Sequence, residues 1–364
     1  MKPPLLTIRA VRSIGVEVPM TYALGTSRGV ITKAPLLLID LETEERVTGR
    51  SYLWCYFPAA VPAIANILEE VARVVKGERL APADLWSKLA ERFALIGVQG
   101  IVRMAMAGFD VAAWDALAIA AGWPLATLIG SSPKRIPAYN SCGLGLMAPR
   151  QVADEAEKLL ARGFRAIKLR LGYPTLEDDL AALHAVKKRV GSEIAVMVDY
   201  NQALSLAQAL ERGRVLDQEG IYWLEEPIRH DDYAGNATLA RELKTPIQIG
   251  ENFSESAAMA VALAADAADY VMPDLERIGG VTGWLRAAAL AATHRVEMSS
   301  HLFPEVSAHL LAATPTAHFL EYMDWADKIL AEPLEIVDGF AVVPQRPGNG
   351  LAWDAKAVKK YRIA

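Results

Sequence analysis

The chain has 364 residues, with 38 basic and 43 acidic side chains and a formal net charge of −5 at pH 7. This weakly acidic balance argues against nucleic acid or an anionic membrane as a partner. Its hydrophobic fraction of 52% predicts a large buried core, and no apolar run approaches the ~20 residues of a membrane span.

The N-terminus and the cysteines indicate where the protein resides. The first residues show no basic stretch followed by an apolar core and a small-residue cleavage site, so we expect no secretory signal. The two cysteines, Cys55 and Cys142, are too few for a disulfide framework and lack the spacing of a metal site. We therefore expect a cytoplasmic protein.

Residues 1–130 predict an α+β domain, because strand patterns come first and helical patterns follow. Three stretches alternate or run apolar, as in a three-stranded meander: residues 8–18, 34–41 and 47–54. Three helical stretches follow, over residues 60–76, 83–93 and 100–121. Between the first two strands, residues 21–33 contain two glycines and show no pattern, which predicts a lid or binding loop.

Residues 131–325 alternate short β-branched runs with helical stretches, which predicts a barrel of alternating strands and helices. A polar residue stands at the end of seven of these runs, at intervals of 20 to 31 residues: Lys168, Asp199, Glu225, Glu251, Asp274, His301 and Glu321. Because the active site of such a barrel lies at the carboxyl ends of its strands, we expect these side chains to share one pocket.

The residue types in this series indicate a metal site. Asp199, Glu225 and Glu251 end three consecutive strands, and three carboxylates in one pocket would repel each other unless a cation lay among them. Oxygen ligands favour Mg²⁺. Lys168 and Arg170 are two residues apart on one strand, so both point into the barrel, where carboxylates and an anionic substrate would neutralise them.

Several motifs together resemble the mandelate racemase group of the enolase superfamily. They include Lys168-Leu-Arg170, Asp199-Tyr-Asn201, Glu225-Glu226-Pro227, Gly250-Glu251-Asn252, Pro273-Asp274 and Ser299-Ser-His301-Leu-Phe303. The resemblance covers essentially the whole chain. It implies a modified (β/α)7β TIM-like barrel in residues 131–325, an α+β capping domain in residues 1–130, and a segment, residues 326–364, that packs back on the cap. It also implies a homo-oligomer.

The resemblance implies a role for each polar residue of the barrel. His301 is the general base and Asp274 orients it, while Mg²⁺ and Lys168 stabilise the enediolate that forms when a carboxylate substrate loses its α-proton. A Lys or His base working with Mg²⁺ is a known feature of this superfamily. Glu321 is expected to be protonated and to donate a hydrogen bond to the substrate carboxylate, because a nearby anion raises the pKa of a carboxyl group.

The resemblance also implies which residues contact the substrate. Ser141 contacts the substrate carboxylate, and Asn201 lies near its hydroxyl group. The cap contributes four apolar or aromatic residues: Leu24, Ile31, Trp54 and Tyr56. An apolar cap favours a substrate with an apolar or aryl group over a polyhydroxylated sugar acid.

Arg170 departs from the family pattern, which has lysine at the second position of the Lys-x-Lys motif and uses it as the base for one enantiomer. A guanidinium group stays protonated in proteins. Arg170 is then an unusual base, or it only binds an anion, or His301 acts alone. We expect a mandelate-racemase-like reaction on a 2-hydroxy acid. The alternatives are a sugar-acid or 2,3-dihydroxy-acid dehydratase with His301 as its single base, and a catalytically silent protein that binds metal and carboxylate.

Overall fold

The computed structural model describes residues 5–363. It begins with an antiparallel sheet of three strands in chain order: β1 (Ile8–Thr26), β2 (Gly29–Thr43) and β3 (Thr48–Trp54). Both faces of the sheet are buried where β2 and β3 pair: Leu37, Ile39 and Leu53 pack under the cap helices, and the alternate residues of these strands pack against the core of the barrel. The predicted three-stranded meander is confirmed.

The predicted lid loop is instead the tip of a β-hairpin. Strands β1 and β2 continue to a two-residue turn, so most of residues 21–33 are paired, with Leu24 opposite Ile31. The register shifts between Pro19 and Leu24, which interrupts the alternation of the strand. Because the tip projects beyond the core and is mostly exposed or half-buried, its sequence lacks the period-two pattern that would have predicted strands.

Helices cover the cap sheet and connect it to the barrel: α1 (Ala60–Val75), α2 (Pro82–Phe93), α3 (Gly100–Ala121) and the short α4 (Leu125–Leu128). By length and composition helix α3 could cross a membrane, but 72% of its most apolar stretch of 18 residues is buried inside the protein. That burial is the environment of a core helix, since α3 packs between β3 and the barrel helices.

Residues 135–322 contain eight parallel strands that close into a barrel. They are β4 (Arg135–Asn140), β5 (Ala166–Arg170), β6 (Ala195–Asp199), β7 (Leu224–Glu225), β8 (Ile247–Ile249), β9 (Tyr270–Val271), β10 (Glu297–Met298) and β11 (Leu320–Tyr322). Neighbours pair in chain order, and β11 pairs with β4. Backbone hydrogen bonds from Met298 to Thr316 and from Ser300 to Phe319 join β10 to the segment of β11 and complete the ring.

Helices follow each of the first seven barrel strands. They are α5 (Pro149–Leu159), α6 (Leu176–Val190), α7 (Leu206–Leu216), α8 (Tyr233–Glu242), α9 (Ser256–Ala264), the pair α10 (Leu275–Ile278) and α11 (Gly280–His294), and α12 (Pro304–Ala313). The predicted (β/α)7β barrel with an N-terminal α+β cap is confirmed.

The C-terminal segment lies against both domains. It contains β12 (Ile336–Val337), β13 (Phe340–Val342) and α13 (Ala355–Tyr361). Strand β13 pairs antiparallel with the start of β4. The Trp353 indole donates to Asp40 at 2.9 Å, and the Ile363 amide donates to the Gly15 carbonyl at 3.0 Å. These bonds fix the cap relative to the barrel.

The close packing of α3 on β3 requires glycine at position 49. A methyl group there would lie 2.0 Å from the Ala112 carbonyl oxygen and 2.7 Å from the Ala116 nitrogen, both backbone atoms of α3. We expect Gly49→Ala to lower the free energy of unfolding by about 1–3 kcal/mol, measured by denaturant unfolding. Thr48→Ala, on the opposite face of the strand, is the control. A Gly49→Ala protein as stable as wild type would contradict this packing.

Candidate active site

A cavity of about 360 Å³ lies at the carboxyl ends of the barrel strands, under the tip of the cap hairpin. Seven of its lining residues are polar groups from the barrel that the sequence singled out: Lys168, Arg170, Asp199, Asn201, Glu251, His301 and Glu321. Parallel strands bring these residues together because each ends, or has just ended, at the same rim of the ring.

Asp199, Glu225 and Glu251 form a carboxylate triad. One oxygen from each lies within 4.8 Å of the others. Asp199 and Glu225 are the last residues of β6 and β7, and both are fully buried, whereas Glu251 follows β8 and is partly exposed to the cavity. Burial raises the pKa of Asp199 and of Glu225, the latter to about 8, although Lys168 opposes the shift. The neighbouring cations therefore do not keep all three groups ionised at neutral pH.

Lys168 lies at the centre of the acidic cluster. Its Nζ atom is 2.6 Å from Glu225 Oε1, 2.7 Å from Glu321 Oε1 and 3.5 Å from Asp199 Oδ2, and the residue is only 1% exposed. Burial alone would lower the pKa of Lys168, but these three carboxylates outweigh it and raise the pKa above its usual value. Lys168 is therefore a fixed positive charge and not a candidate base.

His301 and Asp274 form a dyad on adjacent strand ends. His301 Nδ1 lies 2.7 Å from Asp274 Oδ2, and a parallel bridge joins the two residues. The other oxygen of Asp274 accepts the amides of Glu276 and Arg277 at the start of α10, which fixes the carboxylate. The hydrogen bond to Asp274 orients the ring, so that His301 Nε2 lies 3.2 Å from Glu251 Oε2 at the cavity.

The charge of His301 follows from its neighbours. Burial lowers the pKa of the imidazole, but the carboxylates of Glu321 and Glu251 and the hydrogen bond to Asp274 raise it well above its usual value. The ring is therefore protonated in this arrangement. Added positive charge beside Glu251 would lower the pKa of His301 toward the range where it can accept a proton.

Glu321 differs from the expectation that it is a protonated donor. Burial alone would raise its pKa, but Lys168 and His301 hold the pKa at about 2. Glu321 is therefore an ionised acceptor, and its Oε2 atom accepts the Leu302 amide at 2.8 Å. Within the chain the two adjacent cations outweigh desolvation, and a rise of the Glu321 pKa beside an anionic substrate stays a prediction.

The Arg170 guanidinium donates hydrogen bonds to the loop that follows β4. Nη1 donates to the carbonyl oxygens of Ser141 at 3.2 Å and Gly143 at 2.6 Å, and Nη2 donates to Ser141 Oγ at 3.2 Å. Ser141 is fully buried behind Arg170 and is not among the residues that line the cavity. In this structure the Ser141 hydroxyl accepts a hydrogen bond from Arg170, and its contact with the substrate carboxylate stays a prediction.

The cap supplies an apolar wall. The structure places all four predicted cap residues in the cavity lining: Leu24, Ile31, Trp54 and Tyr56. The Trp54 ring packs 4.3 Å from Trp325 and 5.5 Å from Tyr56, measured between ring centroids. Arg277 on α10 donates to the Tyr56 hydroxyl and to the Glu251 carbonyl oxygen, so one side chain connects the cap wall to the triad.

Sequence reasoning missed several lining residues. Met323 and Trp325 follow Glu321 at intervals of two, and this alternation would have predicted that they face the same side. Arg28 was expected from its place in the loop to be able to reach the pocket, and it does line the cavity; its guanidinium donates to the Gln202 carbonyl at 3.0 Å. No short-range signal predicts that contact, because the two residues are 174 positions apart.

Comparison with protein-family models gives two matches. Residues 8–130 match the N-terminal domain of the mandelate racemase / muconate lactonizing enzyme family, and residues 151–357 match the enolase C-terminal domain-like model. Together the matches span both the cap and the barrel.

Individual relatives include enzymes of different reactions. L-talarate/galactarate dehydratase of Salmonella typhimurium is 34% identical, over 90% of this chain and 82% of that protein. The 3,6-anhydro-alpha-L-galactonate cycloisomerase of Streptomyces coelicolor is 29% identical, over 98% of this chain and 99% of that protein.

Solved structures with the same fold contain magnesium. An enolase from Bradyrhizobium, complexed with magnesium and mandelic acid, is 40% identical, with a TM-score of 0.95 and all of both chains covered. L-talarate dehydratase from Polaromonas sp. JS666, complexed with Mg and L-glucarate, is 32% identical, with a TM-score of 0.90 over 98% of this chain and 97% of that one. Both family models match, and the structure has the cap, the barrel and the polar residues at the ends of the barrel strands. This chain therefore belongs to the mandelate racemase group of the enolase superfamily.

Proposed function

We propose that this chain is a magnesium-dependent enzyme that removes the α-proton of a 2-hydroxy carboxylate with His301 as its only base. The observation that carries the proposal is the single cavity in which an oriented His-Asp dyad meets a carboxylate triad and a buried lysine. Protons next to a carboxylate are weakly acidic, so their removal needs concentrated positive charge beside the substrate. In this cavity Lys168 supplies such a charge, and the carboxylate triad could hold a cation.

The triad fits a hard divalent cation. Its donor atoms are all carboxylate oxygens, which Mg²⁺ prefers. At 4.8 Å each pair of ionised carboxylates would repel by on the order of 3–4 kcal/mol at an effective dielectric constant of 20. Burial, and to a smaller extent the neighbouring carboxylates, raise the pKa of Asp199 and of Glu225, and a cation among them would favour their ionised forms. A cation held by the triad supplies charge that stabilises the anion formed from the substrate.

One of the chain's own residues, Lys168, complements the charge of the substrate carboxylate. Lys168 is a permanently charged donor at the cavity floor, and Glu321 holds it in place from the opposite side at 2.7 Å. His301 Nε2 faces the same space, where it can accept the α-proton once the charge around Glu251 is balanced. Asp274 keeps the proton on Nδ1, so Nε2 is the atom that exchanges protons with the substrate.

The geometry of Arg170 favours a reaction with one base. Its guanidinium donates three hydrogen bonds to oxygen atoms of Ser141 and Gly143, and arginine remains protonated in proteins. Racemisation of a 2-hydroxy acid needs a second proton donor and acceptor on the opposite face. Dehydration of a 2,3-dihydroxy acid does not: the proton leaves C2 to His301, which then protonates the hydroxide that leaves C3.

Dehydration is therefore the net reaction that we favour, and several relatives carry dehydratase names, including an arabinonate dehydratase from Saccharolobus solfataricus. The wall formed by Leu24, Ile31, Trp54 and Trp325 favours a substrate with an apolar or aryl substituent beyond C3. Racemisation of an aryl 2-hydroxy acid is the second candidate, supported by the same wall and by the mandelic acid complex of the Bradyrhizobium relative.

Loss of a triad carboxylate is expected to weaken Mg²⁺ binding. Glu225→Gln and Glu251→Gln each remove a charged ligand, so we expect Mg²⁺ affinity to fall by at least about tenfold, measured by calorimetry. Glu297→Gln, which changes an exposed carboxylate on β10, is the control and should bind as wild type does. Undiminished Mg²⁺ binding in both triad variants would place the metal elsewhere.

Removal of the base is expected to abolish α-proton exchange. In deuterated solvent, with Mg²⁺ and a panel of 2-hydroxy and 2,3-dihydroxy acids followed by NMR, wild type should exchange the α-proton of at least one compound and His301→Asn should exchange none. His184→Asn, on an exposed histidine that contacts Glu219, is the matched control. If His301→Asn exchanges at the wild-type rate, the base is a different residue.

The role of Arg170 separates the two candidate reactions. We expect wild type to exchange only the enantiomer whose hydrogen faces His301. Arg170→Lys should add exchange of the opposite enantiomer of mandelate or of the substrate found in the panel, because nearby positive charge lowers the pKa of a lysine and makes it a base. Comparable exchange of both enantiomers by wild type, unchanged in Arg170→Lys, would support racemisation without a lysine base and overturn the one-base mechanism.

A further inference from the structure

Glu225 differs from the other two triad residues in where its oxygens lie. Asp199 and Glu251 line the cavity, whereas Glu225 is fully buried beneath it. The Glu225 Oε1 atom accepts from Lys168 Nζ at 2.6 Å, and the same Nζ lies 3.5 Å from Asp199 Oδ2. Its Oε2 atom points down into the barrel, and its contacts there belong to residues that the mechanism above does not use.

Two neutral donors hold Glu225 Oε2. The Trp223 indole nitrogen donates to it at 3.0 Å, and the Gln248 side-chain amide donates at 3.3 Å. Trp223 lies two residues before Glu225 in the chain, and Gln248 belongs to the neighbouring strand β8. Both donors are fully buried, so no water competes with them for the carboxylate oxygen.

These donors limit how Glu225 can bind a cation. A carboxylate oxygen that already accepts two hydrogen bonds in a dry interior is poorly available as a metal ligand, since its lone pairs are in use. Ca²⁺ takes six to eight oxygen ligands and often uses both oxygens of one carboxylate, whereas the smaller Mg²⁺ needs octahedral geometry and takes one oxygen from each of a few carboxylates. A one-oxygen Glu225 therefore suits Mg²⁺ better than Ca²⁺.

We propose that Trp223 and Gln248 are positioning residues that restrict Glu225 to one metal-binding oxygen and thereby make the site select Mg²⁺ over Ca²⁺. The inference rests on the proposed function for the identity of the metal site. It adds a specificity that the triad alone does not provide, because three flexible carboxylates would accept either ion. The two donors act through Glu225 and do not touch the cation.

The test measures Mg²⁺ and Ca²⁺ affinities separately by calorimetry, with no substrate present. Gln248→Met removes one donor and keeps a side chain of similar length, Trp223→Phe removes the other and keeps a smaller aromatic ring, and the double variant removes both. We expect the ratio of the Ca²⁺ to the Mg²⁺ dissociation constant to fall by about tenfold in the double variant, and by less in each single variant, because one donor then still holds Oε2.

Tyr139→Phe is the matched control. Tyr139 packs against Trp223 in the same buried layer, with ring centroids 5.4 Å apart, and its hydroxyl has no hydrogen-bond partner among residues 5–363. This variant should leave the ratio unchanged. Thermal unfolding with and without Mg²⁺ checks that each variant is folded, and Gln248→Met alone still tests the proposal if the Trp223 variants do not fold.

The outcomes distinguish this inference from the proposed function. If wild type binds Mg²⁺ and the triad variants lose it, but the ion ratio stays within about twofold of wild type in the folded donor variants, then only the role of Trp223 and Gln248 is overturned. Wild-type Ca²⁺ binding as tight as Mg²⁺ binding has the same consequence. If wild type binds neither ion, both the inference and the metal site are wrong.

Discussion

The structure depends on a cluster of buried charges that is not balanced by the chain itself. Around Lys168 lie the carboxylates of Asp199, Glu225 and Glu321, all nearly inaccessible to solvent. Burial of like charges is costly unless cations or hydrogen bonds compensate. Lys168 compensates part of this charge, but burial still raises the pKa of Asp199 and of Glu225. A bound cation would favour the ionised forms of these carboxylates, so the same burial that costs stability creates affinity for a metal ion.

The barrel and the cap make separate contributions to this site. Strand ends of the barrel provide the charged groups, and each is fixed by neighbours: Asp274 by the start of α10, Glu225 by Trp223 and Gln248. The cap provides the apolar wall. Arg277 joins the two contributions because it contacts both the Tyr56 hydroxyl and the backbone of Glu251. Relatives of this chain carry the names of dehydratases and cycloisomerases, and one fold can support several reactions.

Arg170 stands where the family pattern has lysine, and its contacts support the proposed mechanism with one base. A lysine at this position would have a free amine at the cavity, and nearby positive charge would lower its pKa. The guanidinium instead donates hydrogen bonds to Ser141 and Gly143 and so connects their loop to β5. The side chain thus stabilises the rim of the cavity and keeps a positive charge there, at the expense of a second exchangeable proton.

The sequence by itself determined the architecture and which polar residues lie at the carboxyl ends of the barrel strands. The period of strands and helices predicted the barrel, and the strand-end positions of Asp199, Glu225, Glu251 and His301 predicted that they would meet, because parallel strands in a ring end at one rim. These features follow from local periodicity and from a topology that admits few arrangements, so they can be read from spacing.

Only the tertiary structure decided which partners each group has, and hence its charge. Glu321 was expected to be protonated but lies between two cations, and Ser141 was expected in the cavity but is covered by Arg170. The predicted lid loop is paired as a hairpin, since its strands gain their order from each other and not from a buried face. Charge state, hydrogen-bond partners and cavity walls depend on atoms far apart in the chain that approach within a few ångströms, and no pattern of neighbouring residues records those distances.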